Sequence, residues 1–257
     1  PDSNPSPGKN GPIPSRGGLT NPHGKAMAFP MRCLSPLLIL AVTVVIVCCA
    51  GPGVPLPPPV PAGPPVTPPQ MLRSEVNVIP RLIPKGKYGR RLYRPMMPRY
   101  ITIHSTQNYT GDAFAHARAL QAGALRATKR KGGNRIGFLT WHFTVQGNLA
   151  VQHLPTTEQG EHADFDGPGN NYSIGIEMCE HRGNNLPATI ERSAKLAAYL
   201  MYSFRIPLRN VVPHYHWPRR GQNPPNKNCP HCLMENGAPG RKWTWFLSRV
   251  QANDRRP

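Results

Sequence analysis

The chain has 257 residues, a net charge of +19 and 33 prolines, of which 22 precede residue 99. Proline lacks an N–H and fixes φ, which excludes that first stretch from sheet ladders and helix interiors; the foldable part is roughly the C-terminal two thirds, on the order of one ordinary domain. From Gln70 onward 27 basic residues stand against 11 acidic ones, a field that favours polyanions (nucleic acid, anionic lipid or bacterial wall polymer) without choosing among them.

In chain order, residues 1–26 read as an unstructured extension. Residues 27–50 read as a signal peptide: Arg32 precedes the apolar run Leu37–Ala50, and small residues end it. The run is short for a membrane span, and its second reading is an uncleaved membrane anchor. Residues 51–98 form a linker. Its first part, to residue 69, is a polyproline-type, semi-rigid spacer; the rest is a basic lead-in with Pro80, Pro84, Pro95 and Pro98 and little periodicity.

The domain proper is expected over 99–254. Arg99–His104 alternates and is β-branched, so it reads as a strand. Asp112 is a candidate cap for a helix over Ala113–Lys129, which is rich in Ala and Leu. Phe138–Val145 reads as a second strand, Gly147-Asn148 as a hairpin turn, and Leu149–Leu154 as the returning strand. Tyr172–Cys179 is a short apolar run suited to a buried strand. Thr189–Phe204 reads as a helix, Val211–His214 as a short strand and Lys242–Val250 as a terminal helix. Mixed strands and helices predict an α/β domain, a central mixed β-sheet flanked by helices.

Three cysteines fall in the domain, Cys179, Cys229 and Cys232. An odd number argues against a pure disulfide framework. His104 and His214 each end a predicted strand, and Cys229 follows in a loop. A hydrolytic zinc needs three protein ligands and one open position, which two imidazoles and a thiolate satisfy. The cluster His214, His216, Cys229, His231 and Cys232 is hard to explain as packing. It also admits a closed structural zinc through His214, His216, Cys229 and Cys232, or a Cys229–Cys232 redox pair.

Four motifs, in order over about 140 residues, resemble the family 2 N-acetylmuramoyl-L-alanine amidases, whose fold is shared with peptidoglycan recognition proteins and phage lysozyme-type amidases. They are Ile101-Thr-Ile-His104-Ser-Thr, then Trp141-His142-Phe-Thr-Val, then His162 with Asn171-Tyr-Ser-Ile-Gly-Ile-Glu177, and finally His214-x-x-Trp217 with Lys227-x-Cys229-Pro-His231. The loop between Trp217 and Lys227 is longer than in the Bacillus-type wall amidases that the last motif resembles.

The resemblance implies a Zn²⁺ site at His104, His214 and Cys229, with zinc at the strand ends. It implies Glu177 as the proton shuttle and Lys227 as the oxyanion stabiliser, and it puts Trp141 and His162 along the substrate groove, with Asn171 and its neighbour Asn170 either contacting the substrate or making the turn. His142 is either a support for the site or a core residue. The expected reaction is hydrolysis of the amide between N-acetylmuramic acid and L-alanine in peptidoglycan or muropeptides, by a protein secreted or held at the cell envelope. Anionic wall polymers are an expected partner of the basic surface, and the N-terminal run an expected membrane tether. A non-catalytic peptidoglycan-binding protein of the same fold is the alternative. A nucleic-acid partner is not expected, because an export signal is present and no duplex-reading motif is.

Overall fold

The computed structural model describes residues 69–127 and 136–254. The signal, anchor and polyproline readings of residues 1–68 lie outside the described residues.

A six-stranded sheet carries the structure. Its strands are β1 (Val78–Pro80), β2 (Tyr100–Ser105), β3 (Phe143–Gln146), β4 (Leu149–Gln152), β5 (Ser173–Met178) and β6 (Val211–Pro213), in the order β1-β4-β3-β5-β2-β6. Only β3 and β4 pair antiparallel, across the Gly147-Asn148 turn; every other neighbour is parallel. The helices are α1 (Pro69–Val76), α2 (Ala113–Gln121), the one-turn α3 (Pro168–Tyr172), α4 (Leu186–Phe204) and α5 (Arg241–Asn253). A two-stranded hairpin, β7 (Met234–Glu235) with β8 (Ala238–Pro239), precedes α5. The expected α/β class and mixed sheet are therefore what the chain forms.

Alternation along β2 and β5 divides the sheet into two unlike faces. One carries Ile101, Ile103, Ile174, Ile176 and Met178, all fully buried. They share a core with Ile190, Ala194, Ala197 and Met201 of α4 and with Phe246 and Val250 of α5. The α4 positions recur at helical spacing, and its alanines let the helix lie close to the sheet. Asn185 caps α4 through a bond from the Ala188 N–H, satisfying an otherwise orphaned donor. The opposite face carries Thr102, His104, Ser173 and Glu177. A buried face this polar contributes little hydrophobic stabilisation, so its residues need another reason to be there.

Three expectations about elements are corrected. The helix beginning at Ala113 ends at Gln121, not Lys129. Gly123 adopts φ +64°, and a Cβ there would fall within 2.8 Å of the Tyr88 ring, so the chain turns where only glycine fits. The strand expected from Phe138 becomes continuous only at Phe143. Before it, Phe138 bridges Arg126 and Thr140 bridges Glu161, which bends the segment out of the sheet. The lead-in also has structure. Leu72 and Val76 of α1 enter the main core, Arg192 of α4 donates to the carbonyl of Val76 at 2.9 Å, and β1 adds to the sheet alongside β4.

Residues 81–99 lack regular strands and are held by long-range bonds. Arg90 makes a bidentate pair with Glu158 (2.9 and 2.6 Å) and donates to the Ile83 carbonyl. Arg94 reaches Glu161 at 3.3 Å. Met96 is buried, and its N–H donates to the Thr157 carbonyl. Among the described residues, no helix is long and apolar enough to cross a membrane.

Candidate metal centre and active site

The parallel register builds the site. His104 on β2 lies opposite Glu177 on β5, which lies opposite Thr144 on β3. On the other side of β2, Ile103 pairs with Pro213, so His214 follows directly beside His104 and opens a 3₁₀ turn. One row across β3, β5 and β2, continued by the residue that follows β6, thus holds two imidazoles, a carboxylate and a hydroxyl on the polar face. Cys229 arrives from the long loop. Its carbonyl accepts from the Tyr215 N–H, and the His231 N–H donates to Ser105 Oγ at the end of β2.

His214 Nδ1 lies 2.9 Å from His104 Nδ1, and Cys229 Sγ lies 3.9 Å from the same atom. All three residues are buried, and their ligand atoms lie within 4.8 Å of one another. The outer bonds of the two rings decide what faces inward. His214 Nε2 donates to the Ala163 carbonyl at 3.2 Å, leaving Nδ1 with its lone pair. His162 Nε2 donates to the Ser173 carbonyl at 3.2 Å, so His162 Nδ1 can only accept. That acceptor takes its proton from His104 Nε2 at 3.0 Å, which leaves the Nδ1 of His104 unprotonated as well. Two imidazole lone pairs therefore confront each other beside a sulfur, an arrangement that suits a cation and little else.

Protonation follows the same logic. Burial, reinforced by the neighbouring His214, His162 and Lys227, holds His104 well below the usual imidazole range. Burial, with Lys227 nearby, pushes His214 down to about 3. Both rings are thus neutral at pH 7, as metal ligands must be. Burial raises the Cys229 thiol to about 12, so its thiolate requires a cation beside it.

A cavity of about 310 Å³ opens over this row. His104, Trp141, His162, Asn170, Glu177 and Lys227 are among the side chains lining it. Glu177 Oε1 is 3.9 Å from His104 Nδ1, and its buried Oε2 has no hydrogen-bond partner among the described residues. Burial raises the Glu177 carboxyl to about 7, against the opposing pull of Lys227. A carboxyl poised near neutrality beside a lysine, in a concave site, is arranged for proton transfer.

Trp141 walls the cavity, with its indole N–H donating to Thr144 Oγ1 at 2.7 Å. His162 lines it too, but both ring nitrogens are taken by protein partners. Asn171 lies outside the lining, and its amide donates to the Asp166 carbonyl. Asn170 does line the cavity, and its Oδ1 accepts the N–H groups of both His162 and Ala163 at 2.8 Å.

His142 is a backbone anchor, accepting from the Gly175 N–H and donating to the Glu158 carbonyl. His216 is exposed and Cys232 packs at the edge of the main core. Among the described residues, only His104, His214 and Cys229 assemble as a set of three ligands, so the closed four-ligand zinc is not formed. Sequence reasoning missed Arg219 and Gln222, which reach the cavity from the long loop. A Pro/Gly/Asn-rich connection carries no periodicity that would single them out.

Residues 93–232 match the family model described as N-acetylmuramoyl-L-alanine amidase. The N-acetylmuramoyl-L-alanine amidase XlyA of Bacillus subtilis (strain 168) is 39% identical over 163 residues, covering 62% of this chain and 48% of the relative. The amidase CwlH of the same organism is 34% identical over 166 residues, covering 63% and 56%. The chain thus spans about half the length of these curated relatives. Among solved structures, the catalytic domain of XlyA superposes with a TM-score of 0.55 at 35% identity, over 68% of this chain and 99% of that one. PlyL gives a TM-score of 0.53 at 25% identity, over 70% and 98%.

Proposed function

The chain belongs to the N-acetylmuramoyl-L-alanine amidase family, and from that premise we propose that it hydrolyses the amide between N-acetylmuramic acid and L-alanine in peptidoglycan or muropeptides, using Zn²⁺ held by His104, His214 and Cys229. The observation that carries the metal reading is the confrontation of two imidazole lone pairs at 2.9 Å beside a buried sulfur. Two nitrogens and one sulfur are the donor set of a hydrolytic zinc that keeps an open position. When bound, such an ion lowers the pKa of a water towards ~7 and polarises a carbonyl.

The chain's own groups supply the rest. Glu177 takes the proton of the attacking water and returns it to the departing alanine nitrogen; a carboxyl near 7 exchanges protons in both directions at neutral pH. Lys227, on the cavity wall, offsets the negative charge that develops on the carbonyl oxygen. Trp141 and Asn170 shape the groove that receives the muramyl peptide.

An envelope location follows from the substrate. The basic surface supports adhesion to anionic wall polymers, and the apolar run before residue 51 supports export or a tether. The test is product analysis on purified peptidoglycan. Release of free stem peptides with an N-terminal alanine, abolished by chelator and restored by zinc, is the expected result. Binding to peptidoglycan without release would assign a recognition role instead.

A further inference from the structure

We propose that His162 is a positioning residue: it locks His104 into the tautomer that turns a lone pair toward His214 and Cys229, and the adjacent Ala163 carbonyl does the same for His214. One dipeptide thus orients both imidazoles of the site. The inference rests on the metal reading above and adds to it the element that pre-orients the ligands.

Three observations carry it. First, both nitrogens of His162 are committed, Nε2 to the Ser173 carbonyl and Nδ1 to His104, which leaves neither for a ligand in the cavity. Second, the dipeptide is held by its own loop. Asn170 Oδ1 accepts from the N–H of His162 and of Ala163, and the Asp164 carboxylate accepts from Gly169 and Asn170 at 2.9 Å. Third, the ring lies in a space kept clear by glycine. A Cβ on Gly175 would stand 2.9 Å from the His162 ring, and one on Gly160 would stand 2.6 Å from its Cδ2. Gly175 on β5 thus forgoes a side chain to admit this imidazole, and Gly160 does so from the ring's own loop, which a merely groove-lining residue does not demand.

Outer partners of this kind fix ligand orientation, and their loss typically weakens metal binding about 10–100-fold. The experiment measures zinc affinity by competition with a chromogenic chelator, and the absorption spectrum of the cobalt-substituted protein, for wild type, His162→Phe and His162→Gln. His162→Phe removes both bonds, so affinity should fall about 10–100-fold with a shifted cobalt spectrum. His162→Gln keeps one acceptor and one donor and should recover most of the loss.

In parallel, long-range ¹H–¹⁵N imidazole correlation on the zinc-loaded wild-type chain should show Nε2–H on His104, His162 and His214. This measurement decides even if His162→Phe fails to fold. An Nδ1–H tautomer at His162 would overturn the proposal, as would wild-type affinity and spectrum in His162→Phe. Those results leave zinc binding intact, whereas a wild-type chain that takes up no zinc removes the metal reading itself.

Discussion

Arg90 and Glu158 are 68 residues apart in sequence and nearly buried, with side-chain exposures of 6% and 9%. Arg90 spends three of its donors here: two on Glu158 and one on the Ile83 carbonyl. Glu158→Leu leaves a guanidinium buried with one neutral acceptor. Breaking a buried pair from one side costs about 3–5 kcal/mol. For the roughly 180 described residues that corresponds to a Tm lower by roughly 6–20 °C. The double variant Arg90→Met/Glu158→Leu removes the stranded charge and should recover most of the loss. Urea and thermal denaturation of wild type, both singles and the double give the coupling energy directly. A loss below about 1 kcal/mol for Glu158→Leu would mean the pair behaves as a solvated surface bridge. The docking of residues 81–99 onto the sheet would then be wrong.

Other outcomes follow from the site. Glu177→Gln should retain zinc and lose about 10²–10⁴-fold in turnover, read as kcat on muropeptide with metal content measured on the same sample; normal turnover removes the proton-shuttle role. Lys227→Met should lower kcat about 10²–10³-fold with bound zinc unchanged; a change confined to KM would make Lys227 a binding residue. His142 and His153 are held down by burial to about 4 and about 3. The unfolded chain therefore takes up protons that the folded chain refuses once pH falls below about 6.5, and each ring contributes a loss near 1.4 kcal/mol per pH unit down to its folded pKa. The urea midpoint should drop between pH 6.5 and 5, and a flat midpoint contradicts neutral, buried rings.

Much of the His104, His214 and Cys229 group was legible because it sits on strong local patterns. Ile-Thr-Ile-His alternates, so His104 had to share a face with Thr102 and oppose Ile103. Val211–Pro213 points its next residue, His214, to the same edge. The cluster after it narrowed the third member of the group to a few residues, and only the family resemblance chose Cys229 over Cys232. What the sequence hid is non-local. The Ala163 carbonyl has no residue-type signature, and His162 looks like any groove histidine until folding brings Ser173 and His104 to its two nitrogens. The lead-in was illegible for the same reason: β1 is three residues long and exists through its pairing with β4. The early end of α2 did carry a signal, Gly123, whose effect the surrounding alanines and leucines masked.

The polar face of the sheet makes one more prediction. Burying His104, His214 and Cys229 together removes their hydration, and the outer bonds then aim two lone pairs at each other at 2.9 Å. Without a cation this is a repulsive, desolvated cluster that destabilises the fold; with one it becomes a set of coordinate bonds. A ligand that binds only the native state stabilises it by RT ln(1 + [L]/Kd), about 4.1 kcal/mol at a thousandfold excess over Kd. Chelation should therefore lower Tm by roughly 8–16 °C at that occupancy, and zinc should restore it. The shift should be absent in His104→Ala, which has too few ligands left to respond. Calorimetry with and without chelator separates the cases. Equal melting curves for the wild-type protein in both would show that the three side chains are comfortable without a cation, and the tautomers inferred from Ala163, His162 and Ser173 would then have to be reversed.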